Sequence, residues 1–151
     1  MTPATQVSVL AQTFSEVLAN LAFLFTMATP AERTAADGWL EVGIDYEGPV
    51  HGRLRLRCPA EVGVLISANL LGCDPELEAD QLNAEDAVRE LMNVVCGQLV
   101  TRLHGHRVVV QLGLPVVHHL TVEEVAAPLE GTEILAVCVE GYEVQLAYAC
   151  D

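Results

Sequence analysis

Residues 39–46, WLEVGIDY, and residues 50–58, VHGRLRLRC, decide the fold. In the first run Leu40, Val42, Ile44 and Tyr46 share one face, and Trp39, Glu41, Gly43 and Asp45 share the other. In the second, Val50, Gly52, Leu54, Leu56 and Cys58 lie together, opposite His51, Arg53, Arg55 and Arg57. A period of two marks a strand with one buried face. Two such runs joined by a short Gly-Pro turn make an antiparallel hairpin. A two-residue loop at Glu47-Gly48 would pair Asp45 with Val50 and mix the faces. A three-residue loop, Glu47-Gly48-Pro49, pairs Tyr46 with Val50 and Val42 with Leu54 and keeps the faces consistent. That register sets Glu41 opposite Arg55 and Trp39 opposite Arg57. The Arg row then reads as a solvated outer face paired with Glu41 and Asp45, in preference to an anion site.

Helical patterns flank the hairpin. Over residues 6–27, Val7, Leu10, Phe14, Val17, Leu18, Leu21, Leu24 and Phe25 recur at steps of three and four, with Thr29-Pro30 as the stop. Residues 59–71 follow Pro59 and end at Gly72. An acidic loop carries Asp74, Glu76, Glu78 and Asp80. Asn83 is a good N-cap for a helix running to about Leu103, which Gly105 can close. Strands are expected near 107–112, 115–120, 133–139 and 142–150, with a turn at Glu140-Gly141. The unbroken apolar run from Ile134 to Val139 reads as a central strand. The fold class is therefore α+β: one antiparallel-rich sheet with two long helices, 6–27 and 84–103, on its apolar face. No linker or low-complexity segment divides the 151 residues, which read as one domain.

Charge narrows the partners. The net charge is −14, and all seven basic residues are Arg. Phosphate backbones and anionic membranes repel such a surface, so no nucleic-acid or membrane partner is expected. A partner presenting Lys or a bound cation would be attracted. Apolar residues make up 52%, which favours an oligomer with a buried apolar interface. The five Cys form no C-x-x-C and read as buried reduced thiols, and no signal peptide or membrane span is visible. The expected location is the cytoplasm.

The helix at 84–103 carries the chemistry. At about 100° per residue, Ala84, Val88, Leu91, Met92, Val95, Leu99 and Leu103 form a core stripe. Asp86, Glu90, Asn93 and Gly97 form a line on the opposite face, within about 60° of one another. Gly97 costs roughly 1 kcal/mol in mid-helix relative to Ala. Close approach of another surface would explain it. Val94 and Val100 flank the line, so apolar side chains border the polar ones, as in a small docking site. Other sites are weaker. His104 and His106 straddle a helix end, and His118 and His119 alternate across a strand, so no metal site is expected. The serines lack a G-x-S-x-G setting, and Cys96 sits on the core-side flank of the helix.

The run Asp86-Ala-Val-Arg-Glu90-Leu-Met-Asn93, continued by Val94-Val-Cys-Gly97, resembles the signature of the CheC/CheX family of chemotaxis phosphatases. The order of elements resembles it too, and the single motif copy is closer to CheX. On the first helix Glu16 and Asn20 stand one residue too far apart for a second copy. The resemblance implies hydrolysis of the aspartyl phosphate of a CheY-like response-regulator receiver domain. Glu90 would pair with the receiver's Lys and Asn93 would hold the attacking water. Asp86, Val94 and Gly97 would contribute to receiver docking. The chain would need no cofactor of its own, Mg²⁺ belonging to the receiver. The resemblance further implies a homodimer through the C-terminal strands. The alternatives are a non-catalytic module of the same fold, docking a receiver or a flagellar-switch or signalling partner, and a pure dimerisation domain.

Overall fold

The computed structural model describes residues 2–72, 74, 82–129 and 133–150. The elements run α1 (Pro3–Ala22), β1 (Thr26–Met27), β2 (Trp39–Glu47), β3 (Gly52–Pro59), α2 (Ala60–Leu71), α3 (Ala84–His104), β4 (Gln111–Leu112), β5 (Val116–Leu120), α4 (Val122–Val125), β6 (Glu133–Val139) and β7 (Tyr142–Cys150). The sheet has the order β1-β6-β7-β3-β2, with β4 and β5 both paired to β2. Every pairing is antiparallel. The α+β architecture expected from the alternating runs is the one observed. Of the acidic loop, Glu76, Glu78 and Asp80 lie outside the described residues, as does Cys73.

Alternation puts one face of the sheet into the core. Leu40, Val42, Ile44 and Tyr46 of β2 are buried together with Leu54, Leu56 and Cys58 of β3 and Val144, Leu146 and Tyr148 of β7. α3 packs on β2 and lies against both α1 and α2, while α1 also packs on β6. Its buried stripe is Ala87, Val88, Leu91, Met92, Val95, Cys96, Leu99 and Val100. Val100 therefore faces the core and does not border the polar line, contrary to the helical-wheel reading. Being sandwiched between two other helices and a sheet, α3 buries a wider arc than a helix lying on one surface.

The hairpin register differs from the expected one by two residues. Tyr46 pairs with Gly52 and Val42 with Leu56, leaving a longer loop than three residues. An even shift keeps every side chain on its face, so the pattern alone could not distinguish the two registers. The Tyr46 ring decides it. A Cβ on Gly52 would lie 2.2 Å from the phenol, so only glycine can sit opposite. Over that glycine the Tyr46 hydroxyl meets the Tyr148 hydroxyl at 2.6 Å and His104 Nε2 at 3.2 Å. The buried polar tips of both tyrosines thus satisfy each other, and burial pushes the Tyr46 phenol up to about 12.

The register change re-pairs the Arg row. Glu41 lies opposite Arg57 and Asp45 opposite Arg53, while Arg55 faces Gly43. Arg57 is not solvated: it is buried, donates to Glu41 at 3.0 Å and also donates to the carbonyls of Val125 and Ala127 beside α4.

The first helix is shorter than its periodicity suggests. It ends at Ala22, and Phe23 takes a left-handed φ of 54°. The Leu24 N–H then reaches back to the Leu18 carbonyl, and Leu24 is buried. Phe23 and Phe25 are left outside, and Thr26 and Met27 join β6. Sheet pairing and the burial of Leu24 outweigh a helical pattern that continues on paper.

β6 is also not a central strand. It pairs with β7 along its whole length, but β1 covers it only at Cys138 and Val139. Among the described residues its edge over 134–137 has no partner strand, and Ile134 is 52% exposed.

Candidate functional site on the outer face of α3

The Asn83 side chain caps α3 by accepting from the Asp86 N–H at 3.0 Å. Glu85 and Asp86 stand in the first turn, where carboxylates oppose the positive end of the helix dipole. Arg102 and His104 stand in the last turn, the complementary arrangement. The helix is thus fixed at both ends and along its buried arc. On its outer line, Glu90 and Asn93 are held by the backbone and, among the described residues, not by side-chain contacts.

Along that line Asp86, Glu90 and Asn93 are exposed and Gly97 is half-buried. Among the described residues neither Glu90 nor Asn93 makes a hydrogen bond or ion pair inside the chain, so a carboxylate and an amide one helical turn apart are both free to enter a partner. Asp86 differs. Its carboxylate accepts from Arg89 Nη1 at 2.9 Å, and Arg89 also reaches Glu85 at 3.4 Å. Glu85 in turn meets His119 of β5, which holds its carboxyl below the usual range. This cluster fastens the start of α3 to the neighbouring strand. Its Asp86–Arg89 and Glu85–Arg89 pairs were legible as i, i+3 and i, i+4 spacings; the His119 contact, which depends on the fold, was not.

Val94 is half-buried against the core beside the line. At Gly97 the nearest neighbour to an added Cβ is the Leu112 methyl of β4, 4.0 Å away. The fold itself thus leaves room for alanine there, and packing inside the chain does not explain the glycine. Beyond it a shallow hollow of about 360 Å³ is lined by Gly97, Gln98, Thr101, Arg102 and His106. Arg102 and Leu112 entered none of the site readings from the sequence, and His106 entered only as half of a rejected metal pair.

The competing sites separate in space. Glu16 is bound to Arg102 and Gln12, so its carboxylate is occupied and its charge is stabilised first by Arg102. His118 and His119 point to opposite sides of β5: His118 lines a hollow on the outer sheet face, and His119 meets Glu85. Cys96 is fully buried, and burial pushes its thiol up to about 12. It is protonated at neutral pH and cannot serve as a thiolate nucleophile on the motif helix.

The chain is an antiparallel α+β domain that displays Glu90 and Asn93, unpaired among the described residues, on the outside of a helix anchored at both ends. The family model described as Chemotaxis phosphatase CheX matches residues 42–138, well over half of the sequence. The chain belongs to the CheX family. The solved structures similar to it include CheX from Vibrio vulnificus, 18% identical with a TM-score of 0.70, covering 100% of this chain and 99% of that one. CheX from Desulfovibrio desulfuricans is 16% identical with a TM-score of 0.67, covering 97% and 99%. A CheX–CheY–BeF3–Mg²⁺ complex from Borrelia burgdorferi is 19% identical with a TM-score of 0.63, covering 95% and 96%. No curated protein matches the chain. Among the described residues no helix is long and apolar enough to cross a membrane.

Proposed function

We propose that this protein hydrolyses the aspartyl phosphate of a CheY-like receiver domain, with Glu90 and Asn93 as the working side chains. The observation that carries the reading is the pair itself, exposed on the outer face of a helix whose other side is buried, and unengaged among the described residues. Membership of a family of chemotaxis phosphatases supports the class of reaction. The Borrelia burgdorferi relative in complex with CheY supports the class of partner.

The chemistry asks little of this chain. Phosphoryl transfer from an aspartyl phosphate depends on positioning and on neutralising charge. Glu90 forms an ion pair with the receiver's Lys and fixes the register of docking. Asn93 then presents its amide to a water in line with the phosphorus–oxygen bond. Mg²⁺ belongs to the receiver and this chain supplies no ligand to it. Asp86, clamped by Arg89, adds negative potential at the rim, and Val94 supplies an apolar shoulder. The absence of a side chain at Gly97 lets the receiver's loop come down onto the helix.

Gly97 offers a test in which stability and activity move apart. Gly97→Ala should raise stability by about 0.5–1 kcal/mol through helix propensity. It should nevertheless slow receiver dephosphorylation, and Gly97→Leu should slow it much further. Thermal melts and single-turnover assays on the same samples measure both. Full activity in Gly97→Leu would remove the close-approach role.

We further propose a homodimer joined through the open edge of β6. An unpaired strand edge with apolar side chains is a template for pairing with another chain. Ile134, at 52% exposure, stands beside that edge. Light scattering at micromolar concentration should give twice the 16.2 kDa chain mass. Ile134→Lys should shift it to the monomer without unfolding. A monomeric wild type would count against the interface.

A further inference from the structure

The face of the sheet turned away from the helices carries a second candidate site, independent of the α3 surface. Three arginines stand in a row on β3, and the register matches two of them to carboxylates on β2: Arg57 to Glu41 and Arg53 to Asp45. The middle one has no such partner. Arg55 lies opposite Gly43 on one side and Ala147 on the other, so its nearest cross-strand neighbours are a glycine and an alanine. Among the described residues its guanidinium has no hydrogen bond or ion pair, and Nε is buried with no acceptor. A buried donor left unpaired is unfavourable, and native folds avoid it unless something else supplies the acceptor.

The guanidinium lies over Gly43, with Nη1 nearest to it. A Cβ there would stand 2.8 Å from Nη1 and 3.7 Å from the guanidinium carbon, so glycine at this position makes room for the Arg55 head group. Around it opens a hollow of about 300 Å³, lined by Glu41, Asp45, Arg55, Leu114, Val116 and His118. Leu114 is 89% exposed and Val116 53% exposed, so two apolar side chains form a wall that no described residue covers. Three guanidiniums against two carboxylates leave one positive charge here, in a chain whose net charge is −14.

We propose that this hollow binds a small monocarboxylate with an apolar body, its carboxylate taken by the planar fork of Arg55 and its body laid against Leu114 and Val116. Guanidinium and carboxylate match in geometry as well as charge. Glu41 and Asp45 set the selectivity. Each is held by its own arginine, yet together they repel a second negative charge, so a monoanion fits and a phosphate dianion does not. His118 stands at the rim, where its ring can hydrogen-bond the carboxylate.

The test is an NMR titration of the full-length chain with benzoate, with inorganic phosphate as the comparison anion. Benzoate should shift the amides of Gly43, Arg55 and Val116 saturably, with a Kd on the order of 1 mM, and phosphate should bind at least about tenfold more weakly. Arg55→Gln should lose saturable binding, while Arg55→Lys, which lacks the planar fork, should weaken it. Leu114→Glu changes an exposed residue, so folding is unaffected, and its carboxylate should compete with the ligand from within. All three variants should keep the wild-type response at α3 to a receiver. The proposal is overturned if benzoate gives no saturable shifts in the wild type, if phosphate binds as tightly, or if both Arg55→Gln and Leu114→Glu bind benzoate as the wild type does.

Discussion

Asn93→Ala should lower the single-turnover rate of receiver dephosphorylation by about 100-fold or more, because the attacking water loses the group that aligns it. The same change should leave the fold almost untouched. Asn93 is exposed, and among the described residues no side-chain hydrogen bond depends on it. Surface substitutions of that kind usually stay within about 0.5 kcal/mol. Binding of a receiver carrying a stable phosphate mimic should also persist, since docking is assigned in this proposal to Glu90, Val94 and the space at Gly97. The expected result is therefore a loss of rate without a loss of affinity or melting temperature. A rate loss that tracks a large drop in melting temperature would assign Asn93 a structural role instead.

Glu90→Lys should act at the earlier step. The pairing of Glu90 with the receiver's Lys would become a like-charge contact, which costs several kcal/mol across an interface. Affinity for the receiver should fall about 100-fold or more, and the loss should be most severe at low salt, where repulsion is least screened. Glu90→Gln, which removes the charge but keeps the shape, should fall between wild type and Glu90→Lys. The fold again gives no reason for a stability change, because Glu90 has no partner within the chain among the described residues. Titration calorimetry with the phosphate-mimic receiver separates the variants. Equal affinity for all three forms would detach Glu90 from docking.

How far the site could be read from the sequence follows from the kind of information each residue carries. The line Asp86, Glu90, Asn93, Gly97 was legible because helix geometry is local, and 3.6 residues per turn fixes which side chains share a face. The sheet was legible because alternation in residues 39–46 and 50–58 specifies faces. Alternation does not specify register to better than two residues. The clearance of the Tyr46 ring over Gly52 settles that, and it is a contact across the hairpin. The consequences ran outward from this one pairing: Arg57 became a buried ion pair, and Arg55 was left over a glycine. The end of α1 was hidden for a similar reason, since Phe25 continues the helical period while Leu24 is drawn into the core by a chain reversal. Val100 was misplaced because a wheel cannot show how many neighbours surround a helix. Val100 is buried, and α3 is packed by α1, α2 and the sheet together. The clamp of His119 on Glu85 joins residues 34 positions apart and had no sequence signal at all.

Catalysis, as distinct from docking alone, is tested most directly by the lifetime of the aspartyl phosphate on a receiver. A panel of receivers from the source genome is phosphorylated, and phosphate release is followed with and without this protein at substoichiometric amounts. The account predicts that at least one receiver loses its phosphate faster, with multiple turnovers per chain, and that the Asn93→Ala protein binds that receiver without accelerating the loss. Binding of a receiver by the wild type with no change in phosphate lifetime anywhere in the panel would contradict it, and the chain would then be a docking module that has kept the Glu90–Asn93 face without the reaction.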